Sequence, residues 1–176
     1  MNKVEIKARL EESYDAFIHY TQELSKDEYE YAPDGKWNAG EQTLHLIKSL
    51  KPVAKGIGMP KFLIKYNFGK ANRPSRDFDG LVERYKKGLA ENSGIAPKNY
   101  APSRVKYEQA ADLDKKLKSY IDTINNKLSK WNEEQLDTYV APHPLIGKLT
   151  FREILYFTIY HAQHHQLQIK RYLKGV

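Results

Sequence analysis

Four stretches of this chain repeat their apolar residues at intervals of three and four, and that spacing commits most of its length to amphipathic helices. Helix one reads from Val4 to Leu24, with Ile6, Leu10, Tyr14, Phe17, Ile18 and Leu24 on its stripe. Helix two restarts after Asn38 and runs to about Ile57, carrying Leu46, Leu50 and Ile57. Helix three spans roughly Tyr107 to Trp131, and Leu113, Leu117, Ile121, Ile124 and Leu128 share one face. Helix four runs from Phe151 to Leu173, where Phe151, Ile154, Leu155, Thr158, Ala162 and Ile169 align at 100° per residue. No convincing alternating strand competes with them. The expected fold class is therefore all-α, a four-helix bundle in one domain over residues 1–176, with an elaborated crossover between helices two and three.

The connections are marked by turn formers and caps. Ser25 to Lys36 reads as a connection because it holds Pro33 and the Asp34-Gly35 pair. Asn38 and Glu41 have the spacing of a capping box, as do Thr150 and Glu153 ahead of helix four. Pro52 is expected to kink helix two or end it early. Gly58 to Ser75 is open between a short helix and a loop; Asp79 to Leu89 reads as helix; Glu91 to Ser103, with Gly94, Pro97 and Pro102, reads as loop. Asn132 to Leu149, with Pro142-His143-Pro144 and Gly147, is expected to be a rigid connection, and Gly175 a helix stop.

The chain has no cysteine, which excludes disulfides, thiolate-ligated metals and a cysteine nucleophile. With 29 Lys plus Arg against 22 Asp plus Glu the net charge is +7, a bias toward anionic partners. The basic stretch Lys61 to Lys87, interleaved with Phe62, Tyr66, Phe68 and Phe78, suits an anionic substrate, a membrane surface or single strands, or simply a solvated loop. No nucleic-acid-binding signature accompanies it, and no apolar run approaches the ~20 residues of a membrane span. The first ten residues lack a signal peptide's apolar run, so the expected address is cytoplasmic.

Three of the six histidines lie within five residues on helix four. His161 and His165 are spaced i, i+4, which puts their rings on one face roughly 6 Å apart at Cβ. Such a pair at the margin of an apolar stripe serves equally well to hydrogen-bond backbone or Gln163 and Gln168. His45 on helix two supplies a third imidazole from a facing helix, the usual source of ligands in bundle metal sites. Spacing alone leaves a three-histidine site and inert core-margin histidines both open. His164 points about 100° from His165; His143 enters at the helix start, far from His161 at 1.5 Å per residue; His19 has no partner at ligand spacing. Glu41, one turn before His45, suits a general base or a group orienting that ring, against its role in the cap. Tyr156 and Tyr160 are candidate donors to a substrate, and Trp37 and Trp131 read as core seals without chemistry.

Trp37-Asn38-Ala39-Gly40-Glu41 leading to Leu44-His45-Leu46, and His161-Ala162-Gln163-His164-His165 followed by Gln168-Ile169, resemble the DinB-like (DinB/YfiT) superfamily. The stretch His143 to Thr150 resembles one branch of it. Where many members carry Gly-Gln after the final histidine, this chain has Leu167-Gln168, a departure that bears on helix packing and not on ligands. The resemblance implies a four-helix bundle with His45, His161 and His165 as ligands to a divalent ion, zinc or nickel. It also implies an enzyme, a transferase or hydrolase acting on a small-molecule substrate, in some relatives with a low-molecular-weight thiol, and a homodimer. Three neutral imidazoles leave a coordination position open, as catalytic sites require. A thiol would have to be exogenous in a chain without cysteine. A non-catalytic metal- or anion-binding bundle protein is the alternative.

Overall fold

The computed structural model describes residues 1–92 and 97–174; Gly94 and Gly175 lie outside them. Among these residues eight α-helices run in the order α1 (Lys3–Gln22), α2 (Lys26–Glu30), α3 (Ala39–Ile57), α4 (Lys61–Phe68), α5 (Phe78–Glu91), α6 (Ala110–Leu128), α7 (Glu133–Thr138) and α8 (Phe151–Leu173). Strands β1 (Val140–His143) and β2 (Gly147–Thr150) form an antiparallel hairpin between α7 and α8. The protein is all-α apart from this small sheet. No helix among the described residues is long and apolar enough to cross a membrane.

The four long helices α1, α3, α6 and α8 make the bundle, each packed on two others: α1 on α6 and α8, and α3 on the same pair. Their stripes meet in one core, where Ile6, Leu10, Leu46, Leu117, Leu155 and Ile159 are fully buried. The caps work as spaced. Asn38 accepts from the Glu41 N–H at 2.7 Å while Glu41 accepts from the Asn38 N–H at 2.8 Å. Thr150 and Glu153 exchange the same pair of bonds at the start of α8.

Several elements differ from the sequence reading. α3 passes through Pro52 to Ile57 instead of ending early; the proline costs the Lys48 carbonyl its helical partner, but the buried stripe on either side holds the helix together. Gly58 to Ser75, open between a short helix and a loop, holds both: α4 over Lys61–Phe68 and an irregular stretch after it. The first turn of helix three is a 3-10 turn at Tyr107–Gln109, and the α-helix stops at Leu128. The connection Ser25 to Lys36 contains α2, started by a Ser25–Glu28 capping box. Asn132 to Leu149, expected to be a rigid connection, contains α7 and most of the hairpin. Gly147, at φ +81°, makes the turn into β2, and Pro142 is tolerated because the two strands have no further neighbour in the sheet.

Part of the basic segment is used internally. Arg73 grips both carboxylate oxygens of Glu153 at 2.7 and 2.9 Å, and Arg76 reaches Oε1 at 2.9 Å. Glu153 is completely buried, so these two arginines are counter-ions to the helix cap and not free surface charge. Lys61 lies over the Trp131 ring at 3.3 Å from its centroid, and burial pulls its pKa down to about 8. Phe62 and Tyr66 remain exposed.

Candidate metal centre

α3 and α8 bring His45, His161 and His165 together inside the bundle, and one ring nitrogen of each lies within 4.8 Å of the others. His161 Nε2 is central, 3.2 Å from His45 Nε2 and 3.0 Å from His165 Nε2. All three side chains are buried. This group can hold a metal ion.

The far side of two rings is pinned. His45 Nδ1 donates to the Tyr100 carbonyl at 2.8 Å, and His165 Nδ1 donates to Gln42 Oε1 at 2.9 Å. The orientation of the Gln42 amide follows from its other end, where Nε2 donates to the Trp37 carbonyl at 3.2 Å. Carbonyl oxygens only accept, so both imidazoles carry their proton on Nδ1 and turn an Nε2 lone pair toward His161. His161 Nε2 can offer a proton to only one of them. A buried meeting of more lone pairs than protons is the electrostatic signature of a cation site, and the donor set is one that zinc or nickel accepts.

Burial sets the protonation states. His161 and His165 are held well below the usual imidazole range by desolvation and then by the neighbouring histidines. Burial and Lys48 lower His45 against the opposing effect of its bond to Tyr100. Three neutral rings at neutral pH are ready to coordinate without first losing protons.

The other candidates fall as follows. Glu41 is occupied by its cap and by Arg104, whose Nη1 stands 3.6 Å from Oε2, and the group that orients His45 is the Tyr100 carbonyl. His19 is exposed and pairs with Glu23 at 3.3 Å. Tyr156 is buried against Met1, accepting from its amine and donating to its carbonyl, away from the histidines. Tyr160 packs on Tyr85 and His164, each ring 6.0 Å away. Trp37 is not a remote core seal: its ring lies 4.9 Å from that of His45 and stacks on His165 at 6.5 Å, walling the cluster.

A cavity of about 750 Å³ opens beside the three histidines, and His143 and His164 line it with them. The sequence places His143 far from His161 along the helix axis. The hairpin removes that distance by folding back over α8, so that the His143 ring meets Phe157 at 4.4 Å, one turn from His161. Its Nδ1 accepts from the Leu145 N–H at 3.2 Å, which leaves the proton on Nε2. Gln42, Tyr100, Trp37 and His143 carry no periodic signal in the sequence, since each reaches the site through a contact across the fold.

His143 and His164 have their pKa values pulled by burial from 6.5 to about 4. An unfolded chain takes up protons at these positions that the folded one refuses, so their contribution is intact above about pH 6.5 and is lost as pH falls toward the folded values. The urea midpoint of metal-free protein is accordingly expected to stay level above about pH 6.5 and decline toward about pH 4. The double variant H143Q/H164Q should make that decline shallower, the remainder belonging to the buried His45, His161 and His165. A wild-type profile as shallow as the variant's would contradict the assignment.

The sequence model of the DinB superfamily matches residues 9–169 of the chain. No curated protein matches it.

Proposed function

The chain belongs to the DinB superfamily, and from that premise we propose that it is a divalent-metal-dependent enzyme, a thiol-dependent transferase or a hydrolase, whose zinc or nickel ion is held by His45, His161 and His165. The observation that carries this reading is the convergence of three Nε2 atoms, two with their tautomers set from behind. When bound, a divalent ion in an open three-histidine site supplies Lewis acidity, enough to bring the pKa of a coordinated water to ~7 or to hold a thiol as thiolate.

The protein's own groups do the rest. Tyr100 and Gln42 fix two rings in the tautomer that presents Nε2. Trp37 shields one side of the cluster from water. His143, protonated at Nε2, is a hydrogen-bond donor at the cavity wall. The adjoining cavity supports turnover over passive metal storage, because a storage site needs no space for a second molecule.

Elemental analysis of untagged protein purified without added metal should find about one zinc or nickel ion per chain. Content below about a tenth, persisting after dialysis against zinc and nickel salts, would end the proposal. In cobalt-substituted protein, added 2-mercaptoethanol should produce a sulfur-to-metal charge-transfer band. A spectrum unchanged by the thiol would remove the transferase and leave the hydrolase.

A further inference from the structure

We propose that the cavity takes an elongated apolar molecule with one neutral or anionic metal-binding head, the head at the three histidines and the tail along the groove between α3 and α8. This rests on the reading of the site given above. From His45, α3 turns Pro52, Val53 and Gly56 to the cavity, and from His161, α8 turns Phe157, Ile154 and Phe151 to it. The two rows run the same way from the histidines, because the helices are antiparallel: a Cβ built on Gly56 would stand 3.4 Å from the Phe151 ring. At 1.5 Å per residue the arm so formed is about 15 Å long. Met59 and Phe68 line it as well.

The chemistry of the walls selects the ligand. Among the described residues that line the cavity there is no Asp or Glu, and the only permanently charged side chains are Lys36 and Lys55. A cationic head would meet like charge and no counter-ion, whereas a neutral or anionic one would not. A polyhydroxylated substrate would leave hydroxyls unpaired along the arm, each at a desolvation cost, while an alkyl or aryl tail would gain from every carbon removed from water. The cavity of about 750 Å³ is ample for such a molecule.

Calorimetric titration of metal-loaded protein with acetohydroxamate and decanohydroxamate tests this, the two sharing a head and differing in tail. Each buried methylene contributes about fourfold in affinity, so the longer compound should bind at least about a hundredfold more tightly. Val53→Phe, filling the arm, should bring that ratio below about tenfold and leave acetohydroxamate unchanged. Gly56→Leu, projecting into the same arm, serves as the second variant if the first does not fold. A wild-type ratio below about tenfold, or a ratio that both variants leave intact, overturns the proposal. Metal content is measured in parallel. If the protein holds no metal, the three-histidine reading falls, and decanoate against acetate on the metal-free protein then decides the tail site alone. A preference above about tenfold for decanoate keeps the apolar arm, and a smaller one removes it.

Discussion

Replacing His161 with alanine is expected to take bound metal from about one ion per chain to less than a tenth. His161 Nε2 is the atom that both other rings approach, at 3.2 and 3.0 Å, so its loss leaves two nitrogens with no common partner. His19→Ala, at an exposed ring bonded only to Glu23, should leave the metal content unchanged. Gln42→Ala should behave differently from both. It frees the Nδ1 side of His165 without removing a ligand, so metal still binds at saturation but about 10–100-fold more weakly. Glu41→Gln keeps the capping geometry and tests whether this carboxylate has any part in turnover. Retained metal in the His161 variant, with circular dichroism showing native helix content, would refute the ligand assignment.

The largest effect on stability is expected from the double variant R73M/R76M, at about 3–5 kcal/mol, because it strands a completely buried carboxylate. Glu153→Gln should cost less, about 1–3 kcal/mol. The glutamine can still accept from the Thr150 N–H, and the two arginines, each about a third exposed, can turn to water. Adding Glu153→Gln to the double variant should therefore recover part of its loss. Urea unfolding of the three proteins settles the order, and a single Glu153→Gln more damaging than the arginine pair would contradict it. Burial pushes the Glu153 carboxyl up, yet the bonds from Arg73, from the Arg76 and Thr150 backbones and from the Arg76 side chain outweigh it and hold the group below the usual carboxylate range. Its contribution is thus complete above the ordinary glutamate pKa near 4.5 and is lost as pH falls through the lower folded value.

The four long helices were legible because each is long enough to repeat its stripe several times. α8 begins at Phe151 and ends at Leu173, as its Thr150–Glu153 box and apolar run indicate. α2 and α7 are one or two turns long, too short for periodicity, although the Ser25–Glu28 and Asn132–Gln135 boxes that start them are visible in the sequence. The hairpin left no alternation to read, since four residues a side with Pro142 among them carry no pattern. Of the candidate metal centre, the pairing of His161 with His165 follows from helical pitch alone, whereas the facing helix makes His45 only a candidate third partner until the fold brings the rings together.

What surrounds those rings belongs to another scale. Gln42 meets His165 across 123 residues and Tyr100 meets His45 across 55, so neither contact exists until the bundle has closed. The hairpin that returns His143 to α8 and the arginines that neutralise Glu153 depend on the same closure. The sequence by itself determined the four long helices and the pairing of His161 with His165, because hydrophobic pitch and i, i+4 spacing are local and survive in the unfolded chain's order. Tertiary structure alone decided the tautomers, the protonation states and the apolar arm, because desolvation and hydrogen bonding arise only when distant segments exclude water together.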